Sequence, residues 1–172
     1  MKLFLIGLMG SGKSFLGKKI SEALHLPFID LDSEIEKEEG RSVSEVFSTQ
    51  GEEYFRKLEA AVLRKASEVD RFVMATGGGA PCFHQNMKFI KKTGTSVFLD
   101  VPVTIIARRL NESQKNKRPI LQNSTHNKIE DTLANLLSER LKFYKQADFT
   151  LGGEITESDI LELLNSKKYN QT

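Results

Sequence analysis

Gly7-Leu8-Met9-Gly10-Ser11-Gly12-Lys13-Ser14 has the spacing G-x-x-x-x-G-K-S and stands directly behind the apolar run Leu3-Phe4-Leu5-Ile6. Each residue type has a task in phosphate chemistry. The glycines let backbone N–H groups curl around phosphate oxygens, Lys13 reaches the β- and γ-phosphates, and the Ser14 hydroxyl is a ligand for Mg²⁺. The plain alternative is a glycine-rich turn that binds nothing. Context argues against it: Leu16, Ile20, Ala23 and Leu24 recur at helical spacing, so the loop joins a strand to a helix N-terminus, where anions are favoured.

Other groups could complete such a site. Asp30-Leu31-Asp32 closes a second apolar segment, and an extended chain points both carboxylates to one side. Beside ATP, such a pair can anchor a magnesium-bound water and accept the proton of a hydroxyl; equally, the two acids can cap a helix starting near Ser33. Gly77-Gly78-Gly79 follows Val73-Met74-Ala75-Thr76 and offers bare backbone for a ligand to lie against. The magnesium-holding aspartate usual in phosphate-loop enzymes would end that strand and is missing. Asp100, after Val97-Phe98-Leu99, fits the crude pattern one strand later, but Asp30 is preferred because it comes from the element right after the loop-bearing unit.

Arg140 falls seven residues after Leu133, four after Leu136 and three after Leu137, on an apolar stripe. A permanently charged guanidinium there calls for an anion, either a ligand's carboxylate or phosphate or an internal Asp or Glu. Arg56, between Phe55 and Lys57, reads by itself as a surface charge. The polar stretch 111–128 carries Lys115, Lys117, Arg118 and Pro119. It reads either as a solvated charged loop or as a lid over about 111–125.

The elements that must position these groups alternate. Three apolar runs, at 3–6, 72–75 and 97–99, are continuous, as in parallel strands covered on both faces; 28–29 and 149–151 are weaker strands. Helical spacing marks 13–25, 42–47, 52–69, 83–92, 103–110, 129–144 and 158–164, and Ser42-x-x-Glu45 and Thr156-x-x-Asp159 have the form of capping boxes. The order predicts an α/β sandwich on a parallel sheet, with ligands along the carboxyl edge of its strands.

The 172 residues suit a single domain, 1–172, with a real core. Net charge is +2, mixed in sign and without a long basic block, which argues against a nucleic-acid partner. No apolar run approaches the roughly twenty residues of a membrane span. A single cysteine, Cys82, cannot form an internal disulfide and reads as a small apolar filler; with no long apolar leader at the N-terminus, a cytoplasmic location is expected. The small domain and the absence of a long heptad segment favour a monomer.

The ordered set 7–14, Asp30-x-Asp32, Gly40-Arg41-Ser42, Phe55-Arg56-x-x-Glu59, Gly77-Gly78-Gly79, Lys117-Arg118-Pro119 and Glu139-Arg140 closely resembles the shikimate kinases, over about residues 3–165. The resemblance implies a P-loop NTPase of the nucleoside monophosphate kinase-like type: a three-layer sandwich with a five-stranded parallel sheet, a substrate-binding helical region over about 32–60 and a lid. It implies transfer of the γ-phosphoryl group of ATP to the 3-hydroxyl of shikimate, with Mg²⁺ as cofactor, on the chorismate route to aromatic amino acids.

By matching position, the resemblance assigns Asp32, Arg56, Gly77, Gly78, Gly79 and Arg140 to shikimate, with Asp32 on its hydroxyls and Arg56 and Arg140 on its carboxylate. Gly10, Ser11, Gly12, Lys13, Ser14 and Phe15 would hold ATP, Arg109 would flank the adenine, and Arg118 would approach the phosphates as charge develops. Ser14 would ligate Mg²⁺ and Asp30 would hold a metal-bound water; Lys13, Asp32 and Arg118 form the catalytic set. The loop 151–154 lacks the arginine that the family often places beside the adenine. A nucleoside monophosphate kinase shares loop, sheet and lid, but its nucleobase-bearing acceptor requires a roomier site.

Overall fold

Strands made wholly of apolar residues need cover on both faces, and the computed structural model, which describes residues 1–112 and 126–169, supplies it. Five strands, β1 (Lys2–Ile6), β2 (Phe28–Asp30), β3 (Phe72–Ala75), β4 (Thr95–Asp100) and β5 (Phe149–Gly152), form one parallel sheet in the order β2-β3-β1-β4-β5. Leu3 to Ile6 of β1 and Phe72 to Met74 of β3 are fully buried, whereas β5 alternates at the sheet edge. Phe4 and Phe72 meet edge to face at 5.2 Å across the central pair.

Among the described residues, seven helices, α1 (Lys13–Leu24), α2 (Leu31–Glu39), α3 (Val43–Ala66), α4 (Asn86–Thr93), α5 (Val103–Glu112), α6 (His126–Tyr144) and α7 (Glu157–Tyr169), complete the three layers of a nucleoside monophosphate kinase-like P-loop fold. Both expected capping boxes form: the Glu45 N–H donates to the Ser42 hydroxyl at the head of α3, and the Thr156 N–H donates to the Asp159 carboxylate at the head of α7.

Three expectations need correction. Asp32 does not continue an extended segment, because α2 begins at Leu31, with Asp30 as its N-cap accepting from the N–H groups of Asp32 and Ser33. The helix holds because Leu31 and Ile35, one turn apart, are both fully buried. The two segments expected at 42–47 and 52–69 run as one element, α3, broken at Gly51 (φ 80°, ψ 172°). The helix expected from 83 starts at Asn86, because His84 and Gln85 take positive φ after a 3₁₀ turn at Ala80–Cys82. The expected lid, apart from Asn111 and Glu112, and with it Lys115, Lys117, Arg118 and Pro119, lies outside the described residues.

Register levels the site. Ala75 pairs with both Leu5 and Asp30, so the loop after β1, the acids after β2 and the glycines after β3 leave the sheet at one edge.

Candidate active site

Gly7, Gly10 and Gly12 all take positive φ, and Gly12 caps α1 with no side chain of its own. No acid occupies the first turn of α1, so the open N–H groups and the positive end of the helix dipole are left for an external anion. The Lys13 ammonium folds back over the loop to the carbonyls of Gly7 (2.9 Å) and Leu8 (2.7 Å), 8% exposed. Ser11 is the exception among the expected nucleotide contacts: its side chain is buried beside Gly7 rather than lining the cleft, and its N–H closes the loop on the Leu8 carbonyl at 3.2 Å.

The Ser14 hydroxyl donates to Asp30 Oδ2 at 2.6 Å, so Asp30 caps α2 with one oxygen and reaches the phosphate loop with the other. Of the two readings of Asp30, the helix cap is the one seen in these contacts. At the end of β3, where a phosphate-loop enzyme usually has its aspartate, stands a buried Thr76 whose hydroxyl donates to the Leu5 carbonyl. Asp100 does not line the cleft.

Across the cleft, Arg56 is buried, contrary to its reading as a surface charge. Its guanidinium donates to Glu59 (2.8 Å) and Glu52 (3.1 Å) and lies under the ring of Phe83, 4.4 Å from its centroid, beside Phe47 and Phe55. It also presses on the backbone: a Cβ on Gly79 would stand 2.6 Å from both terminal nitrogens. Gly77 is confined in the same way, since a Cβ there would stand 2.9 Å from Asp32 Oδ1 and 2.9 Å from Glu59 Oε1. The glycine triplet is what allows two carboxylates and a guanidinium to converge on one turn.

Glu59 entered the sequence reading only within the Phe55-Arg56-x-x-Glu59 motif, with no role of its own. It is 1% exposed, and burial, its largest influence, raises its pKa from 4.5 to about 7 against the pull of Arg56, with the nearby Asp32 charge adding to the rise. The signal was present: Glu59 lies four residues after Phe55 and three and four before Val62 and Leu63, a charge on an apolar stripe like Arg140. Arg140 enters from α6, half-buried, with Nη1 3.4 Å from the position of a Cβ on Gly78. Its charge also acts on Glu59, so an internal acid and an open cleft face the same guanidinium. Cys82 is held as a thiol by burial, which pushes its pKa to about 11, in keeping with its reading as filler.

One cleft of about 640 Å³ gathers the two sides of the site. Gly10, Gly12, Lys13, Ser14, Phe15 and Arg109 form one wall, and Arg56, Glu59, Gly77, Gly78, Gly79 and Arg140 the other, with Asp30 and Asp32 between. Phe15 stands 65% exposed at the mouth with the Lys19 ammonium over its ring, and Arg109 approaches Gly12. Chemically, the cleft offers a phosphate grip facing a cationic, ring-lined receptor, with a carboxylate at the junction.

The model of the shikimate kinase family matches residues 9–166. The shikimate kinase of Bacteroides fragilis is 44% identical over 149 residues, 87% of this chain and 83% of that protein. Among solved structures, shikimate kinase from Bacteroides thetaiotaomicron superposes with a TM-score of 0.91 at 38% identity, covering 96% of this chain and 98% of that one. Shikimate kinase from Acinetobacter baumannii, in complex with shikimate, gives 0.89 at 33% identity, covering 97% and 94%.

Proposed function

The chain belongs to the shikimate kinase family and phosphorylates shikimate with ATP on the route to aromatic compounds; we propose that the two walls of its cleft hold the two substrates, with Asp32 between them as the base acting on the 3-hydroxyl. The observation that carries this reading is the placement of Arg56, the glycine triplet and Arg140 in the same cleft as the phosphate loop. Two guanidiniums suit the carboxylate of a small ring, and the rings of Phe47 and Phe55, which flank Arg56 and line the cleft, suit its carbon skeleton.

The donors beside the loop fit Mg²⁺. Ser14 and Asp30 present hard oxygen atoms 2.6 Å apart, with no sulfur or imidazole, and a magnesium ion that keeps most of its water needs one such contact and one water-holding carboxylate. When bound with ATP, Mg²⁺ neutralises charge on the β- and γ-phosphates. The chain's own part is positioning and charge stabilisation. Lys13 and the N-terminal N–H groups of α1 grip the phosphates, Arg56, Gly77, Gly78, Gly79 and Arg140 orient the acceptor, and Asp32 takes its proton. Arg118, outside the described residues, meets the charge that spreads over the transferring group, and Arg109 takes the nucleotide side. The same reading takes 1–172 as one domain, with 32–60 receiving shikimate and 111–125 serving as lid.

We propose further that the protein works as a cytoplasmic monomer without nucleic-acid or membrane partners. A net charge of +2 supports this, and among the described residues no helix is long and apolar enough to cross a membrane. The function is tested by coupled ADP release with Mg²⁺ATP, offering shikimate, quinate, gluconate and nucleoside monophosphates in turn. Release driven by shikimate alone is the expected result; equal turnover with a nucleoside monophosphate would overturn the assignment of the second wall.

A further inference from the structure

We propose that Tyr144 is a positioning residue of the substrate-carboxylate receptor: its one hydroxyl anchors the Gly78–Gly79 peptide, so that the Gly79 N–H faces the cleft as a preset donor. The inference rests on the reading above, that this wall receives the carboxylate of shikimate.

Tyr144 ends α6, one turn after Arg140, and is fully buried, with its ring 5.1 Å from that of Phe98 on β4. A buried phenol needs partners for its hydroxyl. It donates to the carbonyl of Gly78 at 2.5 Å, and the Arg140 charge acts on the phenol from one turn earlier on α6. Burial raises the phenol's pKa above its ordinary value, so the hydroxyl keeps its proton and remains a donor.

The consequence for the turn follows from peptide geometry. All described peptides are trans, and a planar trans peptide points its C=O and N–H in opposite directions. Anchoring the Gly78 carbonyl on Tyr144 therefore turns the Gly79 N–H away from α6, and no described residue accepts a hydrogen bond from it. Gly79 lines the cleft, beside the Arg56 guanidinium. Glycines have the widest choice of backbone conformation, so a three-glycine turn needs outside anchors to hold a donor in place. The later part of the turn has them in Ala80 N–H to Gly77 O (3.1 Å) and Cys82 N–H to Gly79 O (2.9 Å); at the Gly78 carbonyl the anchor is Tyr144. Gly78 also lies against the phosphate loop, where a Cβ would stand 3.2 Å from the Met9 nitrogen, so the anchor sets the spacing between the two walls as well. Setting donors before the ligand arrives removes the ordering cost from binding.

The test is Tyr144→Phe, which keeps the ring against Phe98 and removes only the hydroxyl. Shikimate and ATP are titrated separately on the wild type, this variant and Arg140→Ala, and the thermal midpoint of each is recorded. The variant is expected to bind shikimate about three- to tenfold more weakly, the loss of one hydrogen bond, with ATP affinity unchanged. A carboxylate-free analogue of shikimate, with a hydroxymethyl group in its place, should bind wild type and Tyr144→Phe alike. Equal weakening toward shikimate and the analogue, or toward shikimate and ATP, would show a merely structural tyrosine and overturn the proposal, as would unaltered shikimate binding. If Arg140→Ala leaves shikimate affinity intact, the carboxylate reading of this wall is what has failed, and that arm does not depend on the behaviour of Tyr144→Phe.

Discussion

Arg56 shows how a buried cation can be both structurally paired and available. Glu59 takes one edge of its guanidinium, Glu52 another, and three aromatic rings shield it, so the charge is held in a fixed plane beside the glycine triplet before a ligand arrives. Glu59 is the titrating partner. Its folded pKa of about 7 lies above the 4.5 of the free side chain, so its contribution to stability is fully present below pH 4.5 and is lost as pH rises through 7. Wild type measured against Glu59→Gln should therefore lose up to about 3 kcal/mol of relative unfolding free energy across that window, read by urea denaturation at a series of pH values; a difference independent of pH would contradict it. Asp32 carries a different task. Asp32→Asn keeps the shape and removes the proposed base, so turnover should fall by about two orders of magnitude or more while nucleotide binding persists, and substantial residual activity would remove Asp32 from proton transfer.

At the level of elements, the turn after β3 is the most constrained piece of the site. Gly79→Ala would put a methyl group 2.6 Å from both terminal nitrogens of Arg56, and either the guanidinium or the turn must give way. Shikimate KM should rise by roughly tenfold or more with ATP KM little changed, since the lost contacts concern acceptor binding; steady-state kinetics with each substrate varied decides it. Most of the elements were legible. The continuous apolar runs located β1, β3 and β4, the weaker candidates at 28–29 and 149–151 fell on β2 and β5, and Ser42-x-x-Glu45 located the start of α3. What stayed hidden was set by backbone and distance. The start of α2 at Leu31 depends on Asp30 serving as cap, which the alternating Asp30-x-Asp32 pattern disguised. The late start of α4 depends on positive φ at His84 and Gln85, which a helical pattern does not reveal. The residues pressed on Gly77 and Gly79 come from α2 and α3, and proximity across elements has no signature in local spacing.

At the scale of the molecule, the order β2-β3-β1-β4-β5 does the assembling: the strands ending in the acids, the glycines and the phosphate loop are neighbours, so groups more than forty residues apart in sequence share one edge. α6 then brings Arg140 from the far end of the chain to close the second wall. Asp148, just past α6, accepts from the N–H (2.9 Å) and hydroxyl (2.7 Å) of Ser96 and pins that end of the helix to β4. The family and its ordered motifs could be read from sequence because they occur in runs, whereas the burial of Glu59 and the bond from Tyr144 to Gly78 became visible only once the walls were assembled. The central claim is that phosphate grip and carboxylate receptor are separate walls of one cleft, and separate titration of ATP and shikimate on Arg140→Ala tests it most directly. Shikimate affinity should drop by about 2 to 5 kcal/mol, with ATP affinity within error of wild type. Unchanged shikimate binding, or an equal loss for both ligands, would contradict it.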